Sequence, residues 1–414
     1  MLLGSSIKKG RKLEMIRNEA AAMPSRILVL SGPLGHGHLQ TAKSIVEASQ
    51  LIRSDIEVEI VDYMEITSPH LHQVGAFCYA QWVRTFPSIY GYLYKKTRHE
   101  NFMVKEAKRV RGSSLRALLR LIEEKKPSVI VSTFPPAAVA VSKLKMRGSI
   151  NCKTATVITD YTDHSFWLNP GTDLYLVGSE RVARSLMKQG IARSTIEVTG
   201  IPVRPKFYKT YDREQLRRKY QLDPNKLTVL LMGGGWGLIP DAVLRSMQNP
   251  KWKDRVQFVV ICGANEKLRH RLQGVADHSE VSITVLGYVE QIHEWMACSD
   301  LMMTKPGGIS TSEALMQQLP LLLYKALPGQ EEDNVQELVE TGMAVYAPTE
   351  AELEMQFTWM MTDPTRIREM RARAKSLRKH SPYHALSAIL TLEESSPLSI
   401  SMYERAPLQV NPLV

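Results

Sequence analysis

Three short stretches of the sequence gather the residue types that handle protons, phosphates and hydroxyls. The first is Gly35-His-Gly-His, where His38 is the side chain whose ordinary pKa suits a general base near neutral pH. In the second, Thr304-Lys-Pro-Gly-Gly-Ile-Ser-Thr-Ser-Glu-Ala, a strand gives way to a helix at Gly307, Gly308, Ile309 and Ser310. Amides at a helix start face an anion, and glycine lets that anion come close. Such a turn suits a diphosphate, with the Glu313 carboxylate one turn further in for ribose hydroxyls. A capping box explains Ser310 and Glu313 as structure instead. The third stretch, Leu327-Pro-Gly-Gln-Glu-Glu-Asp-Asn, offers Gln330 and Glu331, an amide and a carboxylate of the kind that hold sugar hydroxyls. Its rival reading is a charge cluster at a helix N-terminus.

Two weaker candidates accompany them. Gly233 and Gly234 open the loop Gly233-Gly-Gly-Trp-Gly, which permits close backbone approach or merely a tight turn. Asp160 and His164 follow a predicted strand, placed to orient a base or an acceptor, or only to brace a cleft. Other chemistries are excluded by missing residues. Neither glycine loop completes G-x-G-x-x-G, no G-x-x-x-x-G-K-[ST] occurs, and no Asp-x-Asp occurs. Hydride transfer on a dinucleotide and P-loop hydrolysis therefore drop out. No metal and no cofactor are expected, since helix N-termini and amides serve a leaving diphosphate as a cation would.

The elements that must position these residues follow from apolar runs. A strand at 26–31 leads through the first glycine loop into a helical pattern at 41–53, and an alternating strand follows at 56–61. Buried-strand runs recur at 129–132, 155–159 and 174–177. A second series starts at 227–232 and continues at 258–262, 283–286, 301–304 and 321–324. Two βα series, each opened by a glycine turn, predict an α/β protein with two Rossmann-like doubly wound domains facing across a cleft. The expected limits are a tail over 1–25, a first domain over 26–203, a second over 204–393 and a tail over 394–414. The Pro-stiffened stretch at 200–207 is the seam, and the basic helix at 364–379 is a candidate to cross back to the first domain.

Composition narrows the partners. The 414 residues are 44% hydrophobic and 23% charged with a net charge of +11, a folded chain drawn to anions. The positive charge is concentrated between Arg84 and Arg120, where ten Lys and Arg face two acidic residues. Eight aromatics overlap this run between Phe77 and Phe102. Interleaved rings and cations fit an anionic membrane surface, with Trp82, Phe86, Tyr90, Lys95, Lys96 and Arg98 as the contact set. The bland alternative is a packed helix pair with a solvated basic face. Nucleic acid rests on charge alone and is set aside. No run approaches the roughly 20 apolar residues of a membrane span, and no secretory leader is legible, so a peripheral protein on the cytoplasmic face is expected. The four scattered cysteines read as small buried thiols.

The motifs Gly35-His-Gly-His, Ser132-Thr-Phe-Pro-Pro, Thr159-Asp-Tyr-Thr-Asp-His-Ser-Phe-Trp, Thr199-Gly-Ile-Pro-Val-Arg-Pro-Lys-Phe, Leu286-Gly-Tyr-Val-Glu and Thr304-Lys-Pro-Gly-Gly through Asn334 occur in that order. Together they resemble the monogalactosyldiacylglycerol synthase and processive diacylglycerol glucosyltransferase family over roughly 26–390. The resemblance implies a GT-B fold, and inverting transfer of glucose or galactose from UDP-glucose or UDP-galactose to diacylglycerol or a glycosyldiacylglycerol. It implies His38 as the base, Gly307 and Gly308 as the phosphate loop, Glu313 as the ribose carboxylate, and Gln330 with Glu331 as the sugar pair. Trp236 is bulkier than the family pattern suggests, and His36 is a second histidine near the base. Rival readings are an N-acetylglucosaminyltransferase or a UDP-N-acetylglucosamine epimerase of the same fold, and a non-catalytic lipid- or nucleotide-binding protein. The aromatic-basic stretch speaks against the epimerase. The presence of His38, Gln330 and Glu331 speaks against the non-catalytic protein.

Overall fold

The computed structural model describes residues 25–33, 36–52, 55–67, 78, 81–83, 85–233, 239, 241–378 and 381–394. Apart from residues 25 and 394, both expected tails lie outside them, as do Gly234 and Trp236. The described chain forms two six-stranded parallel sheets flanked by helices.

The first sheet runs β2-β1-β3-β4-β5-β6, from β1 (Arg26–Ser31), β2 (Glu57–Asp62), β3 (Val129–Ser132), β4 (Lys153–Val157), β5 (Leu174–Val177) and β6 (Ile196–Val198). The second runs β12-β11-β10-β7-β8-β9, from β7 (Leu227–Met232), β8 (Val256–Ile261), β9 (Ser282–Leu286), β10 (Leu301–Thr304), β11 (Leu321–Tyr324) and β12 (Ala344–Ala347). Central strands such as Val129–Ser132, Leu301–Thr304 and Leu321–Tyr324 are buried at every residue. Burial on both faces makes such strands continuous apolar runs that sequence alone reveals. The strands not anticipated, β6 and β12, are short edge strands without such a run.

Each sheet reverses strand order once, between β1 and β3 in the first and between β7 and β10 in the second. Ligands of open α/β sheets bind outside the carboxyl ends of strands at such points. The loops carrying His38, Gly233 and Gly307 all leave strands at these two positions.

Seven helices matter below: α1 (His36–Ile52), α2 (Pro87–Lys96), α3 (Phe102–Ala107), α4 (Gly308–Met316), α5 (Gln330–Glu340), α6 (Pro364–Leu377) and α7 (His384–Glu394). Helix α1 starts five residues before the apolar pattern does, so His38 lies in its first turn. Its Ala42, Ile45 and Ala48 face the sheet at helical spacing. The helix that returns to the first domain is α7, not the 364–379 stretch. Ala385, Leu386 and Ile389 share a core with β1 and α1, whereas α6 packs in the second domain through Ile367 and Met370. The reason is apolar content: α6 is rich in Arg and Lys, while the short stripe of α7 is greasy enough to seal a sheet face. Cys262 and Cys298 are buried, but Cys78 is exposed. Among the described residues no helix is long and apolar enough to cross a membrane.

Candidate active site

His38 sits where β1 hands over to α1, its backbone carbonyl accepting the Thr133 hydroxyl at 3.1 Å. Nδ1 lies 3.2 Å from the Thr159 hydroxyl, and the ring meets Phe134 edge-on at 5.3 Å and Trp167 at 6.0 Å. Part of its surface stays open to the cleft. The surrounding rings still strip water from it, and that desolvation pushes the imidazole pKa down to about 4 against a small opposing pull from Thr133. At neutral pH the ring is uncharged and one nitrogen carries a lone pair.

Across the cleft, α4 begins at Gly308 with Gly307 as its N-cap. At Gly308 the two domains touch closely. A side chain there would run into the Thr159 carbonyl and come within 3.0 Å of Asp160 Oδ1. The Gly308 amide donates to the Asp160 carboxyl, which also accepts Asn334 Nδ2 at 2.8 Å. Asp160 thus caps the second domain's helix from the first domain. Burial, with Glu331 and Asp333 nearby, raises its pKa to about 7. The amides of Ile309 and Ser310 donate to no described residue, so they and the Ser310 hydroxyl form the open end of the helix. Thr311 and Ser312 do not cap: their hydroxyls turn back onto the Gly307 and Gly308 carbonyls.

Glu313 lies one turn inside α4 and is buried; its carbonyl accepts the Gln317 amide, while its carboxyl accepts from no described residue. Desolvation lifts its pKa to about 8, opposed by Lys206 and Arg204. A buried carboxyl without a donor among the described residues costs on the order of 1–3 kcal/mol, which a ligand hydroxyl can offset. Its burial separates it from an ordinary capping-box glutamate.

The sugar pair divides. Gln330 begins α5 and accepts the Tyr90 hydroxyl at 2.5 Å. Glu331 is committed within its own domain, to Lys305 at 3.1 Å and to the Leu327 amide at 2.7 Å. Gly233 is buried at the end of β7.

The residues missed in the sequence are Asp333 and Asn334, the fourth and fifth of α5. Asp333 accepts Tyr94 at 2.9 Å, Thr162 at 2.8 Å and Arg98 at 2.9 Å. Asn334 accepts the Tyr161 amide at 2.7 Å and donates to Pro306 O at 2.9 Å as well as to Asp160. Both are buried, and both tie the second domain to the first. Glu337, a turn later, pairs with Arg181 at 2.7 Å. Arg204 adds a fourth bridge, to Glu47. His164 braces this network: its Nδ1 accepts the Phe166 amide at 3.3 Å, Nε2 lies 3.1 Å from Tyr94 O, and burial lowers its pKa to about 4.

These contacts revise the aromatic-basic set. Arg98 pairs with Asp163 at 2.6 Å and Asp333 at 2.9 Å, and Tyr90 is bonded to Gln330. Neither is available to a lipid headgroup, because each is spent across the domain boundary. Trp82 is partly buried, edge-on to Tyr90 at 6.1 Å. Phe86 does point outward, joined by Ile89, Tyr92, Phe102 and Met103, which are 47–76% exposed. Lys95 and Lys96 lie exposed beside them, the former 3.6 Å from Glu332 and the latter over the Tyr92 ring at 5.6 Å. Among the described residues no three His, Cys, Asp or Glu side chains gather as a metal site.

With this geometry in place, comparison with known proteins is informative. Residues 38–203 match the family model for monogalactosyldiacylglycerol (MGDG) synthase, and residues 228–383 match that for the glycosyltransferase family 28 C-terminal domain. The chain is 31% identical to the processive diacylglycerol beta-glucosyltransferase of Bacillus subtilis (strain 168) over 360 residues, covering 85% of this chain and 91% of that one. Its fold is similar to MurG of Acinetobacter baumannii, with a TM-score of 0.56 at 13% identity, covering 89% of this chain and 100% of that one. It is similar also to the UDP-GlcNAc 2-epimerase of Neisseria meningitidis bound to UDP-GlcNAc, with a TM-score of 0.53 at 15% identity, covering 89% and 99%. The fold is thus shared with an epimerase, while the sequence similarity lies with the glucosyltransferase.

Proposed function

The chain belongs to the monogalactosyldiacylglycerol synthase and processive diacylglycerol glucosyltransferase family, and on that premise we propose how it transfers sugar to diacylglycerol. In this reading the donor is UDP-glucose or UDP-galactose, the acceptor is diacylglycerol or a glycosyldiacylglycerol, and the anomeric carbon is inverted. The observation that carries it is the meeting of a neutral His38 with the open helix start at Ile309 and Ser310. A side chain on Gly37, next to the base, would reach Ile309 at 3.2 Å.

The UDP diphosphate lies at the Ile309 and Ser310 amides and the Ser310 hydroxyl, with the ribose on Glu313. With Nδ1–H donating to Thr159, the Nε2 lone pair of His38 takes the proton of the acceptor hydroxyl. That oxygen bonds the anomeric carbon from the face opposite UDP, and the carbon–oxygen bond to the diphosphate breaks. The departing negative charge collects at the amides and the helix dipole, so no metal is needed. The outward face of α2 and α3 supplies the membrane contact. Phe86, Ile89, Tyr92, Phe102 and Met103 enter the interface, while Lys95 and Lys96 meet anionic headgroups at about 1 kcal/mol each.

The test uses purified protein, diacylglycerol in anionic vesicles and each UDP-hexose in turn, with products read by mass. Hexosyl-diacylglycerol should form from one of the two donors, and EDTA should leave the rate nearly unchanged. Strict dependence on added magnesium or manganese would remove the metal-free mechanism.

A further inference from the structure

The two faces of α2 differ. Phe86, just before the helix, and Ile89 and Tyr92 within it point to solvent. Tyr90, Gly91 and Tyr94 point the other way and touch the second domain. The packing there is close. A methyl at Gly91 would overlap Pro328 Cβ, and one at Gly329 would meet the Tyr90 and Tyr94 rings at 3.0–3.1 Å. Gly91 is buried inside a helix, where glycine costs roughly 0.5–1 kcal/mol relative to alanine. The notch lets the helix lie directly on the Pro328-Gly329 turn that precedes α5.

From this seat the Tyr90 hydroxyl donates to Gln330 Oε1 at 2.5 Å. A side-chain amide rotates freely about its last bond, and its two ends offer opposite chemistry. Fixing the oxygen on Tyr90 leaves the Gln330 NH₂ turned away from it, and no described residue accepts from that NH₂. A terminal NH₂ so directed suits the hydroxyl oxygens of a hexose. Tyr94, one turn on, bonds Asp333 at 2.9 Å and holds the same helix against α5.

We infer that Tyr90 is a positioning residue for the donor sugar: it reaches from the membrane-facing helix of the first domain to set the Gln330 amide that reads the hexose. This rests on the reading above that Gln330 contacts the transferred sugar. The acceptor side and the sugar side of the reaction then share one rigid element, with lipid on its outer face and the donor-reading amide on its inner face.

The experiment compares Tyr90→Phe, Gln330→Ala, the double variant and Gly91→Ala with the parent, using the UDP-hexose that serves as donor. Four quantities are measured: KM for the donor, Ki for UDP, cosedimentation with anionic vesicles, and melting temperature. Losing one neutral hydrogen bond corresponds to roughly a three- to tenfold rise in KM for the UDP-hexose. Tyr90→Phe should show that rise while Ki for UDP stays within about twofold, since UDP lacks the hexose. In the Gln330→Ala background Tyr90→Phe should add nothing. Gly91→Ala, which keeps the hydroxyl but lifts the helix off the turn, should give the same split. An unchanged donor KM in Tyr90→Phe alongside a raised one in Gln330→Ala overturns this inference alone. Equal rises in donor KM and UDP Ki, or effects that multiply in the double variant, also overturn it by making Tyr90 a general brace. A silent Gln330→Ala removes both this inference and the sugar contact beneath it.

Discussion

The two walls of the cleft use one backbone device for opposite purposes. On both sides a central strand ends at the point where its sheet reverses order, and a glycine turn starts a helix. In the first domain the first turn of α1 carries His38, a ring dried by Phe134 and Trp167 until it stays neutral. In the second domain the first turn of α4, Gly308 to Thr311, carries no ionisable side chain, and its amides are the groups left to face a ligand. In the mechanism proposed above, one wall handles a proton and the other handles charge. The difference teaches that the turn supplies only proximity; the side chains on the first helical turn decide the chemistry.

Substitutions on either wall sharpen this contrast, and the proton wall should give the largest effect. His38→Ala should cut turnover roughly 10²–10⁴-fold with UDP affinity nearly intact, since a base acts in the transition state. In the free enzyme, the limb of kcat/KM that belongs to His38 should lie near pH 4 rather than near 6.5. If His36→Ala gives the loss and His38→Ala does not, the base has been misplaced.

On the charge wall, Glu313→Ala should weaken UDP by roughly three- to tenfold near pH 7, the size of one uncharged hydrogen bond, because burial keeps the carboxyl largely protonated there. Inhibition by UDP reads this directly. A loss confined to UDP-hexose, with UDP unaffected, would move Glu313 from the ribose to the sugar.

At the outer face of α2, Lys95→Ser with Lys96→Ser should lower vesicle binding about tenfold or more at low salt, an effect that fades as salt rises. Phe86→Ser with Tyr92→Ser should lower the part that salt does not remove. Vesicle binding untouched by all four changes would leave this face simply solvated.

The smallest effect concerns pH and stability. Asp160 and Glu313 are acids whose folded pKa values lie above those of the unfolded chain, at about 7 and about 8. The folded state therefore binds more protons, and stability is full below about pH 4 and is lost as pH rises through 7 and then 8. Melting temperature should fall between pH 5 and 9. Asp160→Asn should flatten the part near 7 and leave the part near 8.

How much of this was legible follows from where each signal sits in the chain. The central strands announced themselves because burial on both faces removes polar residues from them. Glycine turns and His38 were legible because their motifs are local. Asp333 and Asn334 were not, since their partners Tyr94, Asp160 and Thr162 lie about 170–240 positions away and in the other domain. Beside two glutamates they read as one more acidic helix start. Tyr90 and Arg98 were misread for a related reason. A dense run of rings and cations has no sides until its helix is fixed, and positions 90, 91, 94 and 98 then fall opposite 86, 89, 92 and 96. Gly91 between Tyr90 and Tyr94 was the one local sign, a small residue where a neighbouring backbone comes close.

Helix α7 carries a mechanical consequence. The backbone passes from one domain to the other near 200–205, and returns between Leu377 and His384 to place α7 on the first domain's core. A body tethered at one point swivels in every direction. Two crossings define an axis, and the remaining free motion is rotation about it. The bridges from Asp160, Arg98 and Arg181 to α4 and α5 add side-chain ties to these two backbone crossings, so each domain is held to the other by chain and by contact alike.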